Sequence, residues 1–509
     1  MSRHARVDAV RNGWVRELLG WLGAAAIAVI VTGQVASTGR ADLLLRDGDS
    51  LVVPMFVRSI LEGQGWDWAM STVLFLPESA MFALLRLILP LGINALLLVN
   101  AVINVLALYG AVRLVAGRRA PGRAPVAWSL AAIAVFAVIA ATETSASRES
   151  AELASLLLTT TYYSATVIAV IASIGIARRA CDRNGRRRSM PIALGIVAAV
   201  ATLSNPLYLV WATVPLAVIL GFAALRSDGR ARMLSLLWWL VGGTILGLLG
   251  RIPFTAWIEN SGLGYANPQL WPESAANYGR LVLDRLSTPL GWVAAVVIVG
   301  LVALAIRRTV RASTRGERLV AASAWMLPLL VVIGAVALGT DAARYLEPVV
   351  FAPLLALVAD PKVLRRLPTA AVRVATAVIA VLLLVGTGLS VPRVVSAATA
   401  PDADLACVVD WVDESGQAGA GQFWTVRLPK LHLEDPSQLV QVDHQLNGYS
   451  WLVNRRDFDT TAVSFLLLDD QTVSWELSLG AMQVDVVECG RYTIYDLDPE
   501  EVPLGFPHS

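Results

Sequence analysis

The sequence predicts an all-α polytopic membrane protein of about eleven transmembrane helices, ending in a small extracytoplasmic α+β domain. Three observations carry this prediction. Hydrophobic residues make up 56% of the 509 and charged residues only 16%, against about 25% charged in soluble chains, and mean hydropathy is +0.62. Apolar stretches recur through residues 18–390, many near the roughly 20 residues that a hydrocarbon core of about 30 Å requires. Beyond residue 391 the composition changes, with 6 Lys+Arg against 19 Asp+Glu and alternating apolar residues. A water-soluble enzyme, a disordered chain and a collagen-like chain are excluded. The basic residues are almost all Arg, with only Lys362 and Lys430 as lysines. That bias, with the Ala, Val and Gly richness, points to a GC-rich bacterial genome and hence a bacterial inner membrane.

The first segment, 1–17, is a cytoplasmic N-terminus. Candidate spans follow at 18–38, 93–116, 125–142, 153–177, 190–204, 207–225, 233–250, 289–306, 319–339, 347–359 and 370–390. Together they form a membrane domain over 18–391, with outer loops at 39–92 and 251–288. The apolar stretch 73–90 contains Pro77, Glu78, Arg86 and Pro90, which suits an interfacial or re-entrant helix better than a span. Charge placement arbitrates. With eleven spans and the N-terminus inside, inner segments hold 24 Lys+Arg and 6 Asp+Glu, and outer loops up to residue 391 hold 9 Arg and 13 acidic residues. Arg118, Arg119 and Arg123, then Arg178, Arg179, Arg183 and Arg186 to Arg188, mark two inner loops. The positive-inside rule therefore places the N-terminus in the cytoplasm and the C-terminus outside.

In the acidic domain, 392–509, residues 402–414 read as a helix with Leu405, Val408, Val409 and Val412 on one face. Residues 423–428, 439–442, 463–468 and 491–495 read as strands. Cys407 and Cys489 both fall here; an extracytoplasmic pair permits a disulfide, the alternative being two small buried thiols. Trp411, Trp424, Tyr449, Trp451 and Trp475 serve as core or as a recognition surface, core being the commoner use.

Chemistry is sought at the outer edge of the membrane. The four His are His4, His432, His444 and His508, none of them in the apolar part of the chain, so histidine-ligated metals and Ser-His-Asp catalysis inside the membrane are disfavoured. After the first span come Asp42, Asp47 and Asp49. Carboxylates beside a low-dielectric wall are costly unless paired or used. Asp47 and Asp49 can bind a divalent cation such as Mg or Mn through oxygen, or one of them can act as a general base. The plainer reading is a solvated loop with Asp49 or Ser50 capping a helix. Few polar residues lie within the spans, Asn100 and Asn104 excepted, which argues against ion coupling and for chemistry at the outer surface. The basic residues follow topology, so nucleic acid is not a partner.

The order of these features resembles the GT-C superfamily of polytopic glycosyltransferases. The matching features are Asp47-Gly48-Asp49 after the first span and the Pro-containing apolar stretch from Phe75 to Gly92. Thr202 to Leu209 follows at an outer hairpin, and Asp341-Ala342-Ala343-Arg344-Tyr345 at the entry to a late span. The resemblance covers about residues 15–390 as topology and loose motifs. There is no adjacent Asp-Glu pair after the first span and no oligosaccharyltransferase-type Trp-Trp-Asp motif. It implies sugar transfer from a polyprenyl-phosphate-linked donor to an extracytoplasmic envelope glycan, lipid or protein. Asp49 or Asp47 would be the base. Arg344, beside Tyr345, would bind the leaving phosphate through its planar fork, where the plainer roles are an ion pair with Asp341 or Glu347, or snorkelling. Glu78, Arg280 and Trp271 are further substrate-binding candidates; Arg285 is weaker, and Trp66 and Trp68 share with Trp271 the choice between sugar stacking and the interfacial belt. The rival reading is a non-catalytic transporter or assembly protein of the cell envelope.

Overall fold

The computed structural model describes residues 3–182, 189–225, 229–260, 262–363, 368–476 and 484–509; Arg183 and Arg186 to Arg188 lie outside them. The chain divides into two compact units. One comprises Met1–Ala41, Leu97–Arg251 and Gly264–Ala397, the other Asp42–Leu96, Ile252–Leu263 and Ala398–Ser509.

Among the described residues, seven helical stretches are long and apolar enough to cross a membrane: Gly13–Val35, Ile93–Val115, Ser164–Cys181, Arg230–Phe254, Pro289–Arg311, Arg315–Ala337 and Ala370–Ser415. In the last, the helix Thr369–Thr399 ends before a second helix, Ala403–Ser415. Shorter apolar helices are Pro125–Ala141, Ser189–Ser204 and Leu209–Leu225, the last opening on a π-helical turn over Leu209–Thr213. Helix Arg230–Leu249 packs against Ser189–Ser204 through glycine. A Cβ on Gly243 would lie 2.2 Å from the Gly195 carbonyl, and one on Gly247 2.5 Å from the Ala199 carbonyl. This small-residue spacing lets two backbones touch where lipid gives apolar side chains no drive to associate.

Two expected spans are broken. Residues 153–163 do not continue the helix of 164–177. A 3₁₀ turn at Ser155–Leu158 is followed by irregular backbone, and the helix begins at Ser164 after Tyr163 at φ +61°. Side chains have taken over the ladder here. Asn104 donates to the carbonyls of Leu157 and Thr159, both at 3.0 Å. The Glu143 carboxylate accepts the backbone N–H groups of Ala154 and Ser155 at 2.8 and 2.7 Å. The buried run Thr159-Thr160-Thr161 adds β-branched hydroxyl residues that compete for backbone partners. The expected span 347–359 is two short helices, Pro348–Phe351 and Leu355–Ala359, flanking Pro353, which has no N–H to carry the ladder through. The apolar stretch 73–90 holds a helix, Leu76–Ile88, of 13 residues, about 20 Å long and short of a bilayer core. It buries Phe82 and Leu85 and exposes Leu84, Leu87 and Ile88.

The second unit is built on a seven-stranded mixed sheet. Its strands run in the order Gly505–His508, Asn447–Tyr449, Leu439–Val442, Gly419–Gln422, Phe465–Leu468, Tyr492–Asp496 and Asp485–Cys489. The pleat sends Phe465 and Leu467 into one core with Val408, Val412 and Ile494, and Leu466 into another with Ala420 and Val440. Helix Ala403–Ser415 matches the expected one, and a Cys407–Cys489 disulfide, with Cα atoms 5.5 Å apart, ties it to the sheet's edge strand. The strand expected at 423–428 is instead the start of a helix, Phe423–His432, whose residues Phe423 and Thr425 to Leu431 are all buried. Burial on every side leaves no 3.6-residue period to read.

The loop after the first long helix belongs to this unit. Trp68–Ala69 pairs antiparallel with Val453–Asn454. The backbone N–H of Arg455 donates to Asp67 at 2.9 Å, and its guanidinium bridges Asp67 at 2.7 Å and Glu259 at 2.5 Å. Three segments distant in sequence are thus closed on one another.

The glycine contact gives a paired test. Gly243→Val forces the two helices apart and is expected to cost about 1–3 kcal/mol. Gly242→Ala, with nothing within 4 Å of its Cβ, is expected to hold or raise stability in detergent, by up to about 1 kcal/mol, because alanine favours the helix.

Candidate functional site

In the second unit, the segment Asp47-Gly48-Asp49 follows the helical turn Arg40–Leu45. One Asp47 carboxylate oxygen accepts the backbone N–H groups of Asp49 and Ser50 at 3.1 and 3.4 Å, an Asx-type turn. The Ser50 hydroxyl donates to the Leu43 carbonyl at 2.5 Å. A Cβ on Gly48 would lie 3.1 Å from Trp424 and 3.2 Å from Arg427, a tight fit. The turn is therefore pressed against helix Phe423–His432.

Arg427 is fully buried beneath the turn. Its guanidinium donates to the carbonyls of Gly48 (3.3 Å) and Leu452 and to the Gln441 side chain (3.3 Å), and stacks on Phe423 at 4.8 Å. Burial pulls its pKa down to about 10, against the opposing pull of Asp49, Asp457 and Asp47. It remains a cation at neutral pH and its field reaches both turn carboxylates. The two differ. Asp47 is committed to the turn, whereas the half-buried Asp49 carboxylate makes no hydrogen bond to another described residue. Among the described residues no group of three or more His, Cys, Asp or Glu could hold a metal ion. Glu78 lies buried in the first turn of helix Leu76–Ile88, in the same unit.

Helix Phe423–His432 also carries Lys430, fully enclosed. Its ammonium donates to Asp457 at 2.6 Å and to the carbonyls of Pro436 and Leu439 at 2.8 and 2.7 Å. Burial lowers the Lys430 pKa and raises that of Asp457, each held back by its partner's charge. The pair borders a cavity of about 350 Å³. Sequence reasoning missed Arg427, Lys430 and Asp457. One signal was available: Lys430 is one of only two lysines and sits in an apolar stretch, where a cation demands a partner.

In the first unit, Arg344 lies in the 3₁₀ turn Ala343–Leu346. Its guanidinium is within 3.3 Å of Glu149 and donates to the Tyr163 hydroxyl at 3.3 Å, with the Tyr345 ring at 5.8 Å. Glu149 is thus one ion-pair partner, and the charge of Arg344 also reaches the expected partner Glu347. About a quarter of its side chain stays exposed. Neighbouring carboxylates are structural. Glu143 binds the backbone at 154–155, and Glu152 binds the N–H groups of Thr144 and Ser145 and pairs with Arg285 at 2.7 Å. Glu347 is buried, with one carboxylate oxygen lacking a hydrogen-bond partner among the described residues. Helix Trp271–Leu286 is fastened to the Arg344 loop. Ser274 donates to the Thr340 carbonyl at 2.5 Å, Asn277 to that of Asp341 at 2.9 Å, and the Tyr278 hydroxyl lies 2.7 Å from that of Thr340. On this helix Trp271 is exposed and Arg280 donates a hydrogen bond to its neighbour Asn277 at 2.6 Å.

No protein-family model matches the chain, and no curated protein matches it.

Two tests follow from the charges of the second unit. Lys430→Met strands a buried carboxylate and is expected to cost about 3–5 kcal/mol in denaturant unfolding. Adding Asp457→Leu should recover much of that loss, because an apolar pair can replace a buried ion pair. The second concerns Asp402, which caps helix Ala403–Ser415. Burial raises its pKa, but two hydrogen bonds from Arg491 at 2.9 and 2.8 Å and one from Leu405 N–H outweigh that and hold it low. Its stabilisation is present above the ordinary Asp value of about 3.9 and lost as pH falls below it. Asp402→Asn, which still caps, is expected to flatten the fall in stability below about pH 4.

Proposed function

We propose that the protein is a bacterial inner-membrane glycosyltransferase. It would move a sugar from a polyprenyl-phosphate-linked donor to an envelope glycan, lipid or protein acceptor outside the cytoplasm. The observation that carries the reading is the division of labour in Asp47-Gly48-Asp49. One carboxylate is spent on shaping the turn, and the other is held beside a buried cation with its oxygens uncommitted. The membrane reading is eleven spans, with the N-terminus inside. The three shorter apolar helices and the broken pair at 348–359 join the seven long ones, and basic residues predominate in the loops assigned to the inside.

In this reaction Asp49 takes the proton of the acceptor hydroxyl as that oxygen bonds to the anomeric carbon. The bond from that carbon to the donor phosphate oxygen breaks, and its electron pair leaves with the polyprenyl phosphate. Arg344, in the first unit, is a separate candidate for binding the leaving phosphate. A guanidinium fork suits phosphate, and Arg344 keeps exposed surface while Glu149 and Tyr163 hold its position. Glu78, Arg280 and Trp271 remain candidates for substrate contact, and a divalent cation such as Mg or Mn is a requirement to be measured.

The test is turnover of polyprenyl-phosphate sugars by the purified protein, with and without Mg or Mn. Asp49→Asn is expected to lower turnover about 10²–10⁴-fold, and Asp47→Asn less, through a loosened turn. Arg344→Gln is expected to lower turnover while thermal unfolding stays within about 1 kcal/mol, since the ion pair it loses is partly exposed. Full turnover in folded Asp49→Asn protein removes the assignment of the base.

A further inference from the structure

We propose that the cavity beside the Lys430–Asp457 pair is a binding site for a neutral mono- or disaccharide. Its role as the acceptor's docking site rests on the glycosyltransferase reading; the binding itself does not. At about 350 Å³ the cavity has the size of a small-ligand pocket. It lies wholly within the second unit, between helix Val52–Leu61, helix Phe423–His432 and the turns at 435–437 and 454–460.

The charges of its wall select a neutral occupant. Arg58, Lys430 and Arg456 face Asp435, Asp457 and Asp459, three of each sign. Lys430 and Asp457 neutralise one another, and Arg58 pairs with Glu62 at 2.7 Å. An anion entering the cavity meets three carboxylates, and a cation meets three bases. The remaining polar lining is amide and hydroxyl, from Gln64, Asn454, Ser59, Ser437 and Thr460, beside the apolar Met55, Trp68, Leu431 and Pro436. Such groups exchange hydrogen bonds with sugar hydroxyls in both directions.

The wall is preorganised. Ser59 is a hub: its hydroxyl accepts from the Trp68 indole N–H at 3.0 Å and from Asn454 at 2.9 Å, and donates to the Gly65 carbonyl at 3.1 Å. Asn454 also donates to the Gln64 carbonyl at 3.1 Å. A wall locked by its own hydrogen bonds spends little entropy on a ligand. Toward solvent, Arg456 and Asp459 are exposed, and neither side chain makes an ion pair among the described residues. Between the lining residues Gln64 and Trp68 stands Trp66, 61% exposed, next to Gly65 at φ +98°. Trp66 is not itself part of the lining; an exposed indole two residues in sequence from two lining residues would offer a sugar's C–H face what the cavity's hydroxyl and amide groups do not.

The experiment uses the full chain in nanodiscs and saturation-transfer NMR. The probes are methyl glycosides of glucose, galactose, mannose and arabinofuranose, with inorganic phosphate and glutamate as charged competitors. At least one glycoside is expected to bind, and neither phosphate nor glutamate to displace it. Trp66→Ala and Asp459→Asn, both at exposed positions, are each expected to weaken binding at least about fivefold, the scale of one aromatic or hydrogen-bond contact. Displacement by phosphate, binding untouched by both variants, or no glycoside binding to protein that keeps its thermal transition, each overturns the proposal. Donor turnover is measured on the same preparations. Binding without turnover leaves the site and removes the transferase reading; turnover without binding does the reverse.

Discussion

Much of this structure depends on buried cations that satisfy backbone carbonyls. A helix leaves its last carbonyls without N–H partners, and a guanidinium out of water needs acceptors. Each solves the other's difficulty. Arg178, with no exposed surface, donates at 2.6 Å to the Val115 carbonyl and at 2.8 Å to that of Val358. Arg308 reaches the carbonyls of Ala356 and Leu357 at 2.6 and 3.0 Å. Arg40 holds the irregular turn at 145–152 through the carbonyls of Ser145, Ser147 and Glu152. These tethers let the short helix Leu355–Ala359 end inside an apolar unit. In the second unit Arg427 and Lys430 do the same for the strands and turns around helix Phe423–His432.

The same principle explains how the two candidate sites come to be shaped. Asp49 is neither buried nor free in water; it lies beside a cation whose main engagement is with carbonyls and an aromatic ring. The cavity wall exists because the Lys430 ammonium gathers Pro436, Leu439 and Asp457 around one point. Arg344 differs in being tied to side chains, with part of its surface left over. A cation fixed to backbone shapes the fold; one fixed to side chains, and partly exposed, can still meet a ligand.

Sequence alone made the long helices legible, since a span of Leu, Val and Ala such as 289–311 admits few other readings. It made the helix at 402–414 and the strands around 439–442 and 465–468 legible through their periods. It did not reveal the break at 153–163, because apolar content there suits a helix and only Asn104 and Glu143, distant in sequence, show where the backbone bonds go. Helix Phe423–His432 was hidden by burial on every side. Among the site residues, the types at 47 and 49 were legible and their different commitments were not, since the turn geometry decides between them. Lys430 was visible as a rarity, but its partner, 27 residues away, was not.

The pairing of the 64–69 segment with 453–454 has a consequence for biosynthesis. Asn454 follows Gln64, to which it is hydrogen-bonded, by 390 residues. At about 5–20 residues per second, synthesis of that interval takes about 20–80 s. Throughout that time the first loop stands without its partner strand, with Trp68 and Ala69 made but unpaired. The early chain must be sheltered by lipid or by a chaperone until its last quarter arrives, so the ribosome's pace sets the earliest moment at which this unit exists.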